Sequence, residues 1–439
     1  MTEKATHGGD AKSQPPERLL NSTEVRALDP DTFPHPPRQG DRVPGTIENM
    51  RFLIRSYEID VFYDVIGKKL RIRSDRWSTT SLSNEDQTAM AYIVSLAVLN
   101  RFPRELVEPY VAAISDERPY NPVKDWILSE PWDSEDRLPA ICQTIVEAEG
   151  YLPELKEVLI RKWLLSAVAA ALLSKGFRSR GVLTLQGAQG TGKTTWVGAL
   201  VPERLRASFI KLDHHLDAHN KDSILSATAH WICEIGELEG SLRKEVARLK
   251  GVVTRDSDKV RKPYARTETE MPRRTVFAAT VNDAKFLMDD TGNSRWWTIA
   301  VASVDPDHGI DMQQLFAQLA ASLDGGAQWW LNTEEEAFLE QQNRAHRMIT
   351  MVEDIVLQAL DLNRTDGEIL AWTPRELLVL VGIDHPTNTQ CKECAGVLRN
   401  YVGEPKRIQG RDKWRIPLSW DLQPKESPRS VKGSARDFD

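Results

Sequence analysis

Residues 181–200 read G-V-L-T-L-Q-G-A-Q-G-T-G-K-T-T-W-V-G-A-L. V-L-T-L has the composition of a short buried strand, T-W-V-G-A-L reads as a helix, and a glycine-rich turn joins them. That turn, Gly187 to Thr194, fits G-x-x-x-x-G-K-[ST] at every fixed position, in the strand-before and helix-after context the pattern requires. Gly187, Gly190 and Gly192 let the backbone wrap phosphates, so that its N–H groups and the helix N-terminus face negative charge. Lys193 is then the cation for the β and γ phosphates and Thr194 the Mg²⁺ ligand, with Thr195 beside it in the same cradle. ATP and Mg²⁺ are the expected cofactors.

Further along, H-W-I-C-E-I-G-E-L, residues 230–238, sets Glu234 at the end of an apolar strand. A carboxylate there reaches a Mg²⁺-bound water, or takes a proton from the attacking water. Glu237 is a second candidate for the same work, and Glu234 with Thr194 is the expected metal pair. T-V-F-A-A-T-V-N, residues 275–282, is another apolar strand, ending in Asn282, where an amide can position water and sense the nucleotide. D-H-H-L-D-A-H-N-K-D, residues 213–222, brings His215 and His219 near each other, but spacing fixes no third ligand and a polar loop leading into a helix explains it.

Residues 243–274 hold eleven Lys and Arg against five Asp and Glu. In a chain of formal net charge −7, this local excess is a candidate phosphate-backbone footprint. K-V-R-K from Lys259 and T-E-T-E to Glu270 look like two arms of a hairpin, with P-Y-A-R at the bend. Lys259, Lys262, Tyr264 and Arg266 would then mix charge with a stacking ring, as single-strand binders do.

The 439 residues are enough for two or three cores, and 28% charged with 41% hydrophobic residues is the composition of an ordinary soluble protein. The N-terminal stretch lacks a basic run followed by an apolar one, and the apolar run Trp163 to Leu173 is too short to span a bilayer, so a cytoplasmic location is expected, with no membrane partner. Short strands alternating with helices after residue 181 predict an α/β core with a mostly parallel sheet. Of the four cysteines, Cys391 and Cys394 are spaced C-x-x-C, but they lie in a helical pattern where i and i+3 share a face.

Taken in order, N-P-V-K-D-W and W-D-S-E-D-R-L upstream, the cradle, W-I-C-E-I-G-E-L, the basic Y-A-R hairpin, F-A-A-T-V-N-D and T-G-N-S-R-W-W resemble the superfamily III helicases of the AAA+ class. They resemble most closely the virulence-associated protein E family of phages and mobile islands. The resemblance covers roughly residues 120 to 300. It implies an AAA+ P-loop ATPase core with a parallel sheet, preceded by a mainly helical domain, assembled as a ring, a homo-hexamer, with ATP at subunit interfaces. On this chain Glu234 and Glu237 would fall in the Walker B position, Asn282 would be sensor 1, Lys262 to Arg266 the pore hairpin, and Arg295 the arginine finger. One departure stands out: many such ATPases carry two adjacent acids after the strand, whereas Ile235 and Gly236 separate these two glutamates.

T-P-R-E-L-L from Thr373 carries a capping box with Pro374 at the first helical position. With the helical run after it and the basic strand-turn-strand around Gly410, it suggests a winged-helix-like domain in which Lys392, Arg399, Lys406, Arg407, Arg411 and Lys413 could touch phosphates. The expected organisation is a disordered tail over 1–45, a mixed N-terminal region over 46–119, a helical collar and ATPase core over 120–330, the winged-helix-like domain over 350–420, and a second tail over 421–439. The leading functional expectation is an ATP-driven helicase or translocase acting on single-stranded DNA or a fork in phage or mobile-element replication, with replication or loading partners. An AAA+ initiator or defence ATPase that assembles on DNA without unwinding, and a DNA-binding regulator with a degenerate nucleotide site, remain open.

Overall fold

The computed structural model describes residues 25–74, 85–236, 238, 249–260, 269–287, 293–346, 350–364 and 369–419. Contacts divide the chain into two compact units, Met1–His346 and Arg347–Asp439.

The first unit opens with a small α+β module: α1 (Ile47–Ser56), β1 (Asp60–Asp64), β2 (Lys69–Arg73), α2 (Glu85–Leu99), α3 (Val107–Asp116) and β3 (Pro119–Tyr120). β1 lies central in its sheet, antiparallel to β2 and parallel to β3. Met50, Leu53, Val61, Ile72, Ile93 and Val111 meet in its core. Residues 25–45, expected as part of a tail, belong to this module instead. Phe33 and Val43 are buried in the same core, and the buried Asn49 side chain bonds the backbone of His35 and Pro44. Their proline and charge content suggested disorder, yet two apolar anchors and one backbone-satisfying amide hold the stretch down.

Next come α4 (Pro122–Ile127), α5 (Leu138–Gln143), β4 (Ile145–Glu147) and α6 (Pro153–Leu172). This stretch, expected to be helical throughout, lends β4 to the edge of the main sheet. From Trp163 to Ala171 every residue of α6 is buried, the alanines giving this half a thin profile between layers. The indole N–H groups stitch it in place: Trp163 Nε1 donates to Phe277 O at 2.7 Å and Trp231 Nε1 to Ala167 O at 2.8 Å.

The core then runs β5 (Val182–Gln186), α7 (Lys193–Ala199), α8 (Glu203–Phe209), β6 (Ile210–Lys211), α9 (Lys221–Thr228), β7 (Ile232–Ile235), β8 (Ser257–Val260), β9 (Thr269–Pro272), β10 (Val276–Val281), β11 (Trp296–Val304), α10 (Met312–Asp324) and α11 (Thr333–Ala345). The main sheet has the order β4-β11-β5-β10-β7-β6, with every pair parallel except β4 and β11. From β5 the chain crosses to the far edge at β6, walks back through β7 and β10, and passes β5 to reach β11. The order therefore reverses around β5 and opens a crevice at the strands' C-terminal ends, where open α/β sheets bind ligands. The W-D-S-E-D-R-L stretch is pinned against this core by α10, whose Gln314 and Gln318 side chains bond to Asp133 N, Pro131 O, Arg137 N and the Asp136 carboxylate.

The second unit holds α12 (Met351–Ala359), β12 (Ala371–Trp372), α13 (Pro374–Leu380), α14 (Asn388–Tyr401), β13 (Lys406–Ile408) and β14 (Arg411–Arg415), with sheet order β12-β14-β13. Val356, Leu377, Leu378, Cys394, Val397, Leu398 and Trp414 form its core. Thr373 and Glu376 cap α13 reciprocally. Burial pushes the Cys394 thiol up to about 12. No helix among the described residues is long and apolar enough to cross a membrane.

Candidate nucleotide site

The loop after β5 lies in the crevice at the order reversal, and its three glycines are needed for different reasons. A Cβ at Gly187 would sit 2.5 Å from Val301 O, so this glycine allows the loop to press against β11. Gly190 (φ 81°) and Gly192 (φ 86°) are in the left-handed region that other residues avoid. Lys193 is buried and curls back under the loop: its Nζ donates to Gly187 O at 2.7 Å, to Ala188 O at 2.8 Å and to Asn282 Oδ1 at 3.2 Å. Asn282 follows the last residue of β10, the strand paired directly with β5, and Val281 O accepts from Gly187 N at 3.0 Å. The sheet register thus puts the amide beside the cradle lysine. Thr194 and Thr195 follow it in the first turn of α7.

Glu234 lies two strands from β5 and is completely buried on β7. A buried carboxylate is costly unless its oxygens are bonded. Here Oε1 accepts from Thr280 Oγ1 at 2.6 Å and from Thr194 Oγ1 at 3.4 Å, and Oε2 accepts from Asp213 N at 2.7 Å. Burial pushes the Glu234 carboxyl above its ordinary range, and the bonds from Thr280 and Asp213 N pull partly back. Thr194, Thr280 and Glu234 therefore form one oxygen-rich cluster, of the hard-ligand kind that suits Mg²⁺. Lys193 and Asn282 flank it at the same end of the sheet. The residues present fit a nucleotide with a divalent cation: open glycine backbone, a buried ammonium, and a hydroxyl with a carboxyl.

The spacing between the two glutamates has a physical reason. Ile235 faces the apolar cluster on the opposite side of the sheet, with Cys233, Phe277 and Trp296, so an acid there would point into hydrocarbon. At Gly236 a Cβ would overlap the Asp213 carboxylate, and Asp213 is itself held at φ 51°. Glu237 lies outside the described residues, as do Lys262, Tyr264 and Arg266.

Lys259 falls on β8, opposite Glu270 of β9. His214, in the same stretch as His215 and His219, bonds Ser223, while Asn220 caps α9 and Asp217 accepts from His219 N. Arg295 ends a 3₁₀ turn, Asn293–Arg295, immediately before β11. Its neighbour Trp296 pairs with Val182 while Ala300 pairs with Gln186, so Arg295 lies at the end of the sheet away from its own cradle. The five-rung ladder between them spans four residue steps, roughly 13 Å. Trp296 and Trp297 are buried on opposite faces, Trp297 directly beneath Gly181. In the second unit Lys392, Arg399, Lys406, Arg407 and Arg411 are exposed. Lys413 is half-buried and turned onto Glu376 at 3.3 Å.

Two residues of the cluster escaped the sequence reading. Thr280 carried a signal, since it is the one polar residue inside V-F-A-A-T-V. Asp213 carried none, because only the pairing of β6 with β7 brings it to Glu234.

The family model of the virulence-associated protein E-like domain matches residues 127–348, just over half of the chain. The chain belongs to the virulence-associated protein E-like family. The matched span runs from the end of α4 to just beyond α11, so the virulence-associated protein E-like domain contains the whole main sheet and the cluster around Glu234. No curated protein matches the chain. Among solved structures, three apo structures of the NrS-1 C-terminal region match over 84% of this chain and 98% of theirs, at 12–13% identity and a TM-score of 0.39. That likeness is too remote to carry function.

Proposed function

We propose that this chain is an ATP-driven DNA helicase or translocase of the superfamily III, AAA+ type, working as a homo-hexameric ring in the replication of a phage or mobile element. The observation that carries the reading is the meeting of Lys193 and Asn282 with Thr194, Thr280 and Glu234 at the order reversal of a parallel sheet. In this reading Lys193 would turn from the loop carbonyls to the phosphates, and Thr194 and Glu234 would hold Mg²⁺, which would supply charge neutralisation for phosphoryl transfer. Asn282 and Glu234 orient the attacking water, and Glu234 takes its proton.

Arg295 fits a finger supplied to a neighbouring subunit. It lies a strand's length from its own cradle, and no hydrogen bond or ion pair ties its guanidinium to another described residue. A guanidinium supplied in trans raises phosphoryl transfer by about 10³ to 10⁵. β8 and β9 are the described parts of the proposed pore hairpin that tracks single-stranded DNA. The second unit, with three helices and a three-stranded sheet ending in the exposed Gln409–Gly410 turn flanked by Arg407 and Arg411, fits a winged-helix-like domain that contacts DNA or a loading partner.

The test is ATP hydrolysis by the full chain with and without single-stranded DNA, beside Lys193→Ala. DNA-stimulated turnover that Lys193→Ala abolishes, together with strand displacement, is the expected result. Equal turnover with and without DNA, and no movement along a strand, would sink the translocase reading. ATP-dependent assembly on DNA without displacement would favour an initiator instead.

A further inference from the structure

The ribbon formed by β8 and β9 pairs over four rungs, from Ser257 opposite Pro272 to Val260 opposite Thr269. A two-stranded ribbon of this length is marginal alone, so its stance depends on what grips it. One grip comes from the core. Arg273, fully buried, directs Nε and Nη2 to the Asp258 carboxylate at 2.8 and 2.5 Å and Nη1 to Val252 O at 3.2 Å. Bidentate pairing of this kind already satisfies a carboxylate.

A second cation nevertheless reaches Asp258 from far along the chain. Lys68, in the turn between β1 and β2, places Nζ 2.6 Å from Asp258 Oδ2, and each of these two side chains is only 4% exposed. Tyr63, on β1, donates its hydroxyl to Met271 Sδ at 3.3 Å. Asp258 and Met271 face each other across the ribbon as rung partners. One hairpin of the N-terminal module therefore holds both strands of the ribbon at a single rung, next to the rung of Lys259.

The turn that delivers Lys68 is itself fixed. Asp64 Oδ1 accepts from Ile66 N at 2.9 Å and from Gly67 N at 2.8 Å, and Lys68 sits at φ 53°, where glycine or asparagine would be less strained. Burying an ammonium beside an already paired carboxylate is a poor device for stability, and its better-attested use is to fix register.

We propose that the β1–β2 hairpin is a clamp on the β8–β9 ribbon, with Lys68 and Tyr63 as positioning residues that set how the ribbon, with Lys259 on it, is presented to single-stranded DNA. The clamp stands on the contacts above, and its purpose rests on the DNA reading under Proposed function. The N-terminal module then contributes to DNA engagement without touching DNA. Any swing of the ribbon must carry the module along or break the Lys68–Asp258 pair.

The test uses the full chain with Lys68→Met, which keeps the stem and the positive φ, Tyr63→Phe, which removes one oxygen, the two combined, and Lys68→Arg. Three readouts are compared: amide hydrogen exchange at 257–260 and 269–271, affinity for a labelled single-stranded oligonucleotide, and ATP turnover without DNA. In the double variant, exchange along the ribbon is expected to rise about tenfold and DNA affinity to fall roughly five- to twentyfold, because the ribbon must now be ordered on binding. DNA-free turnover should stay at the wild-type level, and Lys68→Arg should retain most of the exchange protection. Where Lys68→Met weakens the fold, Tyr63→Phe alone gives the same comparison at smaller amplitude.

Unchanged exchange along the ribbon in the double variant overturns the clamp, whatever DNA does. Faster exchange with unchanged DNA affinity overturns the positioning role. A wild-type chain that binds no single-stranded DNA overturns the DNA reading and the positioning role with it, while exchange still decides the clamp.

Discussion

Thr280→Val takes one hydroxyl from beside the Glu234 carboxyl and leaves the branched shape of the side chain in a buried strand. The lost bond is short, 2.6 Å, and its acceptor is a buried carboxyl. A bond to a charged acceptor contributes about 1.5–3 kcal/mol. Glu234 keeps Asp213 N on its other oxygen, so the carboxyl stays buried but gains a degree of rotational freedom around Oε1. If the bond serves to hold the carboxyl in its reactive stance, turnover falls roughly 10- to 150-fold at 1.36 kcal/mol per decade. The assay is steady-state phosphate release with DNA at saturation, beside binding of a fluorescent ATP analogue. The expected pattern is a drop in kcat with nucleotide affinity changed by less than about threefold, the signature of an interaction used in the transition state. A kcat within twofold of wild type, in protein that still binds ATP and DNA, would refute the assignment of Glu234 as the group that Thr280 orients.

Three further outcomes are expected. Gly181→Ala forces a methyl into the buried Trp297 indole and should lower stability by about 1–3 kcal/mol in denaturant titration; an unchanged midpoint would mean that the indole moves freely. Arg137 holds the Asp133 carboxyl down to about 2, so the contribution of this pair is complete above the unfolded value near 3.9 and fades as pH falls through about 2. An NMR titration of the Asp133 carboxyl carbon midway at 3.5 or higher would contradict the pairing. Mixing Arg295→Ala with Lys193→Ala subunits should recover part of the ATP turnover that each lacks, because the lesions would fall in different halves of the proposed shared site; absence of recovery in correctly assembled rings would return Arg295 to a packing role.

What the sequence revealed and what it withheld follow from the range of the interactions. The cradle was legible because its chemistry lies in eight consecutive residues, and Asn282 because strand and polar end are contiguous. The α/β core with its parallel sheet could be foreseen from the alternation of short strands and helices. Asp213 could not, since its place beside Glu234 exists only through the pairing of β6 with β7. The same limit hid the reason for Gly236, whose missing side chain makes room for a residue far upstream. Residues 25–45 were misread because composition averages over a stretch, whereas two apolar side chains and one asparagine suffice to anchor it. The β4 strand was missed because three residues between helices carry too short a pattern to stand out.

β11 has one property that would matter in the proposed ring. Just before its start is Arg295; six residues on, at Val301, its backbone lies against Gly187, the first glycine of the cradle. Indoles on both faces root it, and unbroken pairing with β5 from Trp296 to Ala300 lets it act as a rod between these points. In a ring, that rod would touch one nucleotide at each end, its own subunit's and the neighbour's. A shift at either end would have to appear at the other, and hydrolysis around the ring would advance in order, with timing carried from site to site by a single strand.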